Sequence, residues 1–278
     1  GNHKSLSNNN LWGVFIDSRN QIWIGSEKGL NKFDPDTETF TRYQHDETDP
    51  NSLSSNTVTF IHEDQYGLLW LGTFGGGVNR FDPEQETFIH YQHDSKDPYS
   101  LSNDIIMSIY EDTAGAIWIA TYGGIDKYDP GEYQFGFFRS DPGRPEDFSS
   151  HKVRSIYQDS AGSVWIGTGG GGLNQLNKTR DSIAYYQHDD SDPNSISGND
   201  IWAIDQDKHG DLWIATHGAG LNRFNPSKKI FIHYKHDPDN LNTPACDPFM
   251  IWLWMIKETF YGLLPICLVW INLISRRK

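Results

Sequence analysis

The sequence predicts an all-β fold: a β-propeller of four-stranded antiparallel blades, with five blades visible. Three observations carry this expectation. An apolar-Trp-apolar-Gly/Ala-Thr/Ser motif recurs with Trp at 23, 70, 118, 165 and 213, at intervals of 47 or 48 residues. Each interval holds four short segments of strand character, bounded by Gly, Pro, Asn and Asp. Residues 1–240 contain no long stretch with the 3.6-residue period of a helix. Four strands repeated every ~40–50 residues is the arithmetic of a propeller blade. A sandwich would not repeat its sequence, and a helical solenoid would show the helical period.

Within a unit the elements follow one order. An apolar stretch ending in Asp comes first, as in Ile105-Ile106-Met107-Ser108-Ile109-Tyr110-Glu111-Asp112. A turn follows with Gly three residues after that Asp: Asp64/Gly67, Asp112/Gly115, Asp159/Gly162 and Asp207/Gly210. The first unit has Asn20 instead, a residue that also tolerates positive φ. The Trp strand is next, then a Gly-rich loop such as Gly75-Gly76-Gly77, then a strand such as Leu221-Asn222-Arg223-Phe224-Asn225-Pro226. A Phe-x-x-Tyr strand, as in Phe88-Ile89-His90-Tyr91, ends the unit, and a long polar connection carrying Ser-Leu-Ser leads on. The expected division is 1–10 as a connection from an upstream blade, then blades at 11–57, 58–104, 105–152, 153–200 and 201–246, and an aberrant apolar tail at 247–278.

These residues resemble the two-component regulator propeller repeat, with its D-x-x-G-x-L-W-I-G-T-x-x-G-G-L-x-x-F-D-P core and S-L-S linker. Five copies cover roughly residues 5–240. The resemblance implies a seven-bladed propeller in the extracytoplasmic sensor half of a bacterial membrane receptor. It further implies a histidine kinase, often hybrid, or a cyclic-nucleotide output elsewhere in the receptor, and glycan breakdown products as ligands. A periplasmic or extracellular location, a membrane association only through the parent receptor, and a possible dimer through that parent are implied in the same way.

Composition narrows the alternatives. The 278 residues carry 23 basic and 37 acidic side chains, a net charge of −14, so no basic footprint for nucleic acid exists. Both cysteines, Cys246 and Cys267, lie in the last 33 residues, so there is no disulfide scaffold. Gly1 is not an initiator Met, and no signal segment follows it.

The recurring residues read mainly as structure. Trp23, Trp70, Trp118, Trp165 and Trp213 are expected to plug the space between blades. The turn Asp is expected to bond its own backbone two residues on, and Leu53 and Leu101 of the linker to pack inward. His45, His93, His188 and His236 occur one each in four of the five blades and read as loop structure. The Asp-rich connections lack the spacing of a known calcium loop. No catalytic motif, metal site or cofactor site is expected, so the visible chain reads as a non-enzyme.

Positions that differ between copies are free to read a ligand. Directly after the Thr/Ser of the Trp strand stand Glu27, Phe74, Tyr122, Gly169 and His217. If the first strand is innermost, these residues share one rim with the Gly-rich loops and the connections. Phe74, Tyr122 and His217 suit stacking on sugar faces, with Glu27 and Lys28 as polar readers. Arg144, with Arg139 and Glu146, sits in the one atypical connection and is a weaker candidate. Two other readings stand beside the sensor: a lyase similar to the streptogramin-inactivating family, which needs a His and an acid or metal converging, and a protein-interaction propeller with no small ligand.

The tail admits two readings. The apolar runs before Ser275-Arg276-Arg277-Lys278 suggest a membrane helix with a basic stop, although Lys257, Glu258 and Pro265 interrupt them. Read one base out of phase, the codons for Met255-Ile256 and Trp270-Ile271 force Asp and those for Phe260-Tyr261 force Leu. All three then fall in register with a sixth Trp near position 261, where the repeat expects one. The expectation is therefore a frameshifted sixth blade, with the membrane helix as the alternative.

Overall fold

A computed structural model describes residues 5–130, 134–138, 148–179 and 182–236. The expectations for the 247–278 tail and for Arg139, Arg144 and Glu146 lie outside these residues. Twenty strands form five antiparallel sheets. Blade 1 holds β1 (Leu11–Ile16), β2 (Ile22–Ser26), β3 (Gly29–Asp34) and β4 (Thr39–Tyr43). Blade 2 holds β5 (Val58–Glu63), β6 (Leu69–Thr73), β7 (Val78–Asp82) and β8 (Thr87–Tyr91). Blade 3 holds β9 (Ile106–Glu111), β10 (Ile117–Thr121), β11 (Gly124–Asp129) and β12 (Gln134–Phe138). Blade 4 holds β13 (Val153–Gln158), β14 (Val164–Thr168), β15 (Gly172–Leu176) and β16 (Ile183–Tyr186). Blade 5 holds β17 (Ile201–Gln206), β18 (Leu212–Thr216), β19 (Gly220–Asn225) and β20 (Ile230–Tyr234). In each sheet the strands pair in sequence order, the meander of a propeller blade.

The chain forms two compact units: residues 1–142 with 151–156, and residues 143–150 with 157–278. In the first unit β1 contacts β5 and β5 contacts β9, so first strands of successive blades are neighbours. That is the innermost position. Trp23, Trp70 and Trp165 each pack on strands of the next blade. Trp23 and Leu30 bury themselves against Val58, Ile61, Leu69, Leu71 and Phe81 of blade 2. Trp70 and Val78 do the same against Ile106, Ile109, Ile117, Ile119 and Tyr128 of blade 3. In the second unit Trp165 and Leu173 pack on Ile201, Ile204, Leu212, Ile214 and Phe224. Burying a Trp of this size stabilises by roughly 3 kcal/mol, so each plug is a main tie between adjacent sheets.

The D-x-x-G turn and the Trp form one device. One carboxylate oxygen of Asp64 accepts the N–H of Tyr66 at 2.9 Å and of Leu68 at 3.0 Å. The other accepts the Trp70 indole N–H at 2.8 Å. The same indole bond joins Trp23 to Asp17, Trp118 to Asp112, Trp165 to Asp159 and Trp213 to Asp207, at 2.8–3.1 Å. A buried indole N–H left without an acceptor is costly, so the Asp six residues upstream is what allows a Trp to be the plug. Asn20 takes φ 62° in the first turn, where Gly67, Gly115, Gly162 and Gly210 take 79–91°.

A second clasp joins neighbouring blades. Glu63, at the end of β5, accepts the N–H and hydroxyl of Ser18 in the preceding blade's turn at 2.6 and 2.8 Å. Glu111 takes the N–H of Gln65 at 3.0 Å, and Gln206 that of Ser160 at 2.9 Å.

Candidate functional site

The Gly-rich loops and the long connections meet on one face of blade pairs 2/3 and 4/5. Gly75 and Gly77 both donate to the Asp104 carbonyl at 3.0 Å, and Gly170 and Gly172 donate to that of Asn199 at 3.1 and 2.8 Å. The connection is held from below as well. Leu53, Leu101 and Ile196 are buried, and His45, His93 and His188 each pin the loop through Nδ1 to the carbonyls of those three residues at 2.6–2.7 Å. These three histidines are therefore loop ties. Asp46 and Asp189 cap their own loop amides, and hydrogen bonds from Thr48 and Ser191 hold these carboxyls below the usual carboxylate range.

The residue after the Trp strand stands at this rim. Its N–H extends the pairing to the first strand: Glu27 to Asn10, Phe74 to Thr57, Tyr122 to Ile105 and His217 to Asp200, at 2.8–3.2 Å. Phe74 also bridges Ile105, at the entry of the next blade. In the first unit the Phe74 ring is 44% exposed and meets Tyr122 edge to face, with centroids 6.3 Å apart. Glu27 and Lys28 are exposed on blade 1, and Glu27 accepts from Asn10 Nδ2 at 2.8 Å.

The second unit holds a different group. His217 lies against Trp202, centroids 5.6 Å and planes 31° apart, and its Nδ1 is 3.9 Å from Asp200 Oδ2. Gly169, the blade 4 counterpart of His217, bridges Asp200 and brings no side chain. Aromatic faces beside a carboxylate and open backbone can stack on a ring and accept hydroxyl protons.

Trp202 and Asp200 escaped the sequence reading. Trp202 is the second residue of β17, where the ladder slips by one between Ile201 and Ala203. The same slip sets out Trp12, Thr59 and Met107 in blades 1, 2 and 3. A bulge re-aims its extra side chain, and bulges gather beside functional sites. A signal does exist in the sequence: the aligned column reads Trp12, Thr59, Met107, Arg154 and Trp202, four residue types against the rim column's five.

The model of the two component regulator propeller family matches residues 5–28, 52–75, 100–123, 147–170 and 195–218. Each match runs from the serine linker to the rim. The chain carries five copies of this family's repeat. It is similar to the extracellular domain of BT3049 from B. thetaiotaomicron, assigned as a hybrid two component system: 27% identity, TM-score 0.72, covering 84% of this chain and 31% of that one. The chain thus spans about a third of that domain. Virginiamycin B lyase from Staphylococcus aureus (16% identity, TM-score 0.61, 84% and 72% covered) shares the fold alone. So does PorZ, a surface component of the type-IX secretion system of Porphyromonas gingivalis (16%, TM-score 0.58, 83% and 34% covered). Among curated proteins the sequence has no match. These comparisons favour a sensor propeller of a two-component-like receptor over the lyase. Among the described residues no group of three or more His, Cys, Asp or Glu is placed to hold a metal.

Proposed function

We propose that this chain is part of the extracytoplasmic, ligand-sensing propeller of a two-component receptor, and that its rim reads a glycan-derived oligosaccharide. The observation that carries the reading is the Phe74–Tyr122 pair: two aromatic rings at equivalent positions of adjacent blades, in contact, with Phe74 open to solvent. Aromatic faces pack against the C–H faces of sugars, while Glu27 and the rim backbone of the same unit accept hydroxyl protons. A parent receptor would supply the membrane segment, the kinase output and any dimer.

Calorimetric titration of the full chain with a panel of defined di- to tetrasaccharides tests this. Binding is expected for at least one, weakened tenfold or more by Phe74→Ala and by Tyr122→Ala. Affinity unchanged in both variants overturns the rim assignment.

His217 beside Asp200 is the His–acid pair that a lyase reading would need. Incubation of streptogramin with the chain separates the two: the sensor reading expects it to be recovered unmodified.

A further inference from the structure

The third residue of each blade's third strand, or the second in blade 2, is fully buried: Asn31, Asn79, Asp126, Asn174 and Asn222 are all 0% exposed. The four asparagines do the same work. Each Oδ1 accepts the N–H of the serine closing the linker of its blade, Ser7, Ser54, Ser149 or Ser197, at 2.9 Å. In blades 2, 4 and 5, Nδ2 donates to that serine's hydroxyl at 2.7–2.8 Å. In blades 1, 4 and 5 it also donates to the paired carbonyl of Ile24, Ile166 or Ile214, at 3.2–3.4 Å. The position thus requires one acceptor and one donor.

Blade 3 places a carboxyl there. Asp126 Oδ1 accepts the Ser102 N–H at 3.1 Å, and Oδ2 lies 2.6 Å from Ser102 Oγ. Ile119, paired with Asp126, corresponds to Ile24, Ile166 and Ile214. A neutral carboxyl has an O–H that can take the part of the amide N–H. A carboxylate has only lone pairs, and it leaves the donor's place empty. Burial holds this carboxyl up at about 7, against the hydrogen bonds from Ser102 and the attraction of His93. His93, on the connection, is the titratable group facing it, and β10 offers Thr121 and Ile119.

Asp126 is wired to the rim. Ser102 Oγ is 2.9 Å from Thr121 Oγ1, which accepts the Gly123 N–H at 3.0 Å and donates to the Gly124 carbonyl at 3.1 Å. Tyr122 sits inside that loop. We propose that Asp126 is a proton-operated latch under the blade 3 rim. With its proton it holds Ser102 as the asparagines hold their serines. Without it, the linker and the Tyr122 loop loosen.

The sign is set by the two states. In the unfolded chain an Asp ionises near ~3.9, below its folded value. Its stabilisation is complete below that pH, declines as pH rises toward about 7, and falls no further above. Melting temperatures of the full chain from pH 5 to pH 8 test it. Asp126→Asn is expected to exceed the wild type by several degrees at pH 8 and by less at pH 5. The reciprocal Asn79→Asp is expected to acquire a falling profile over the same range. Hydrogen exchange of the wild type alone should show residues 102–105 and 121–124 losing protection at pH 8, relative to 54–57 and 73–77. Parallel profiles for wild type and Asp126→Asn, or equal protection of the two blades at both pH values, overturn the latch.

Discussion

A buried indole N–H must find an acceptor, and in every blade it finds one six residues upstream. Asp64 is therefore placed to stabilise twice, by closing its turn and by satisfying Trp70. Asp64→Ala should cost about 2–4 kcal/mol in urea unfolding, since it leaves a buried donor unpaired and frees two turn amides. Trp70→Phe removes the donor as well as the need for it. In a double-mutant cycle the two changes should couple by about 1–2 kcal/mol. Independent, additive effects would contradict the shared role. Glycines at the rim differ just as sharply. Gly77 has φ +71°, and a Cβ there would run into the Tyr91 carbonyl oxygen. Gly170 has φ +88°, and a Cβ there would meet nothing within 4 Å. Gly170→Ala should cost about 1 kcal/mol, the strain of positive φ alone, and Gly77→Ala clearly more, by comparison of their melting temperatures.

Between elements, the turn-to-strand clasp ties blade 1 to blade 2, blade 2 to blade 3 and blade 4 to blade 5. Glu63→Ala should lower stability by about 1–2 kcal/mol by freeing the Ser18 N–H and hydroxyl. Glu63→Gln should restore most of it, because blade 5 uses Gln206 for the same bond. If both variants lose equally, the carboxylate charge and not the hydrogen bond carries the clasp. Trp23, Gly67 and Asp64 are legible in the sequence through repetition, since a periodic residue in a periodic fold occupies a fixed place. The Asp-to-Trp bond, the asparagine column and the bulge at Trp202 are not. Each depends on which faces of neighbouring strands meet, and strand spacing alone leaves that open. The rim residues Phe74 and Tyr122 can be named from variation between copies. Their mutual contact cannot, because it arises from the placement of successive blades within the unit.

For the molecule as a whole, the net charge of −14 sets a bias on what can approach the rim. Acidic oligosaccharides should bind more tightly as salt rises, because screening shortens the repulsion from ~30 Å at 0.01 M to ~8 Å at 0.15 M. Neutral ones should be nearly indifferent to salt. Calorimetry at both ionic strengths checks this. The central claim is that the face shared by Gly-rich loops and connections, not the face of the D-x-x-G turns, is the reading surface. Hydrogen exchange of the full chain, with and without the tightest saccharide of the panel, tests it most directly. Protection is expected at residues 74–77, 104–105 and 121–123. Protection confined to the turns at 64–67 and 112–115, or no saccharide that binds at all, would contradict it.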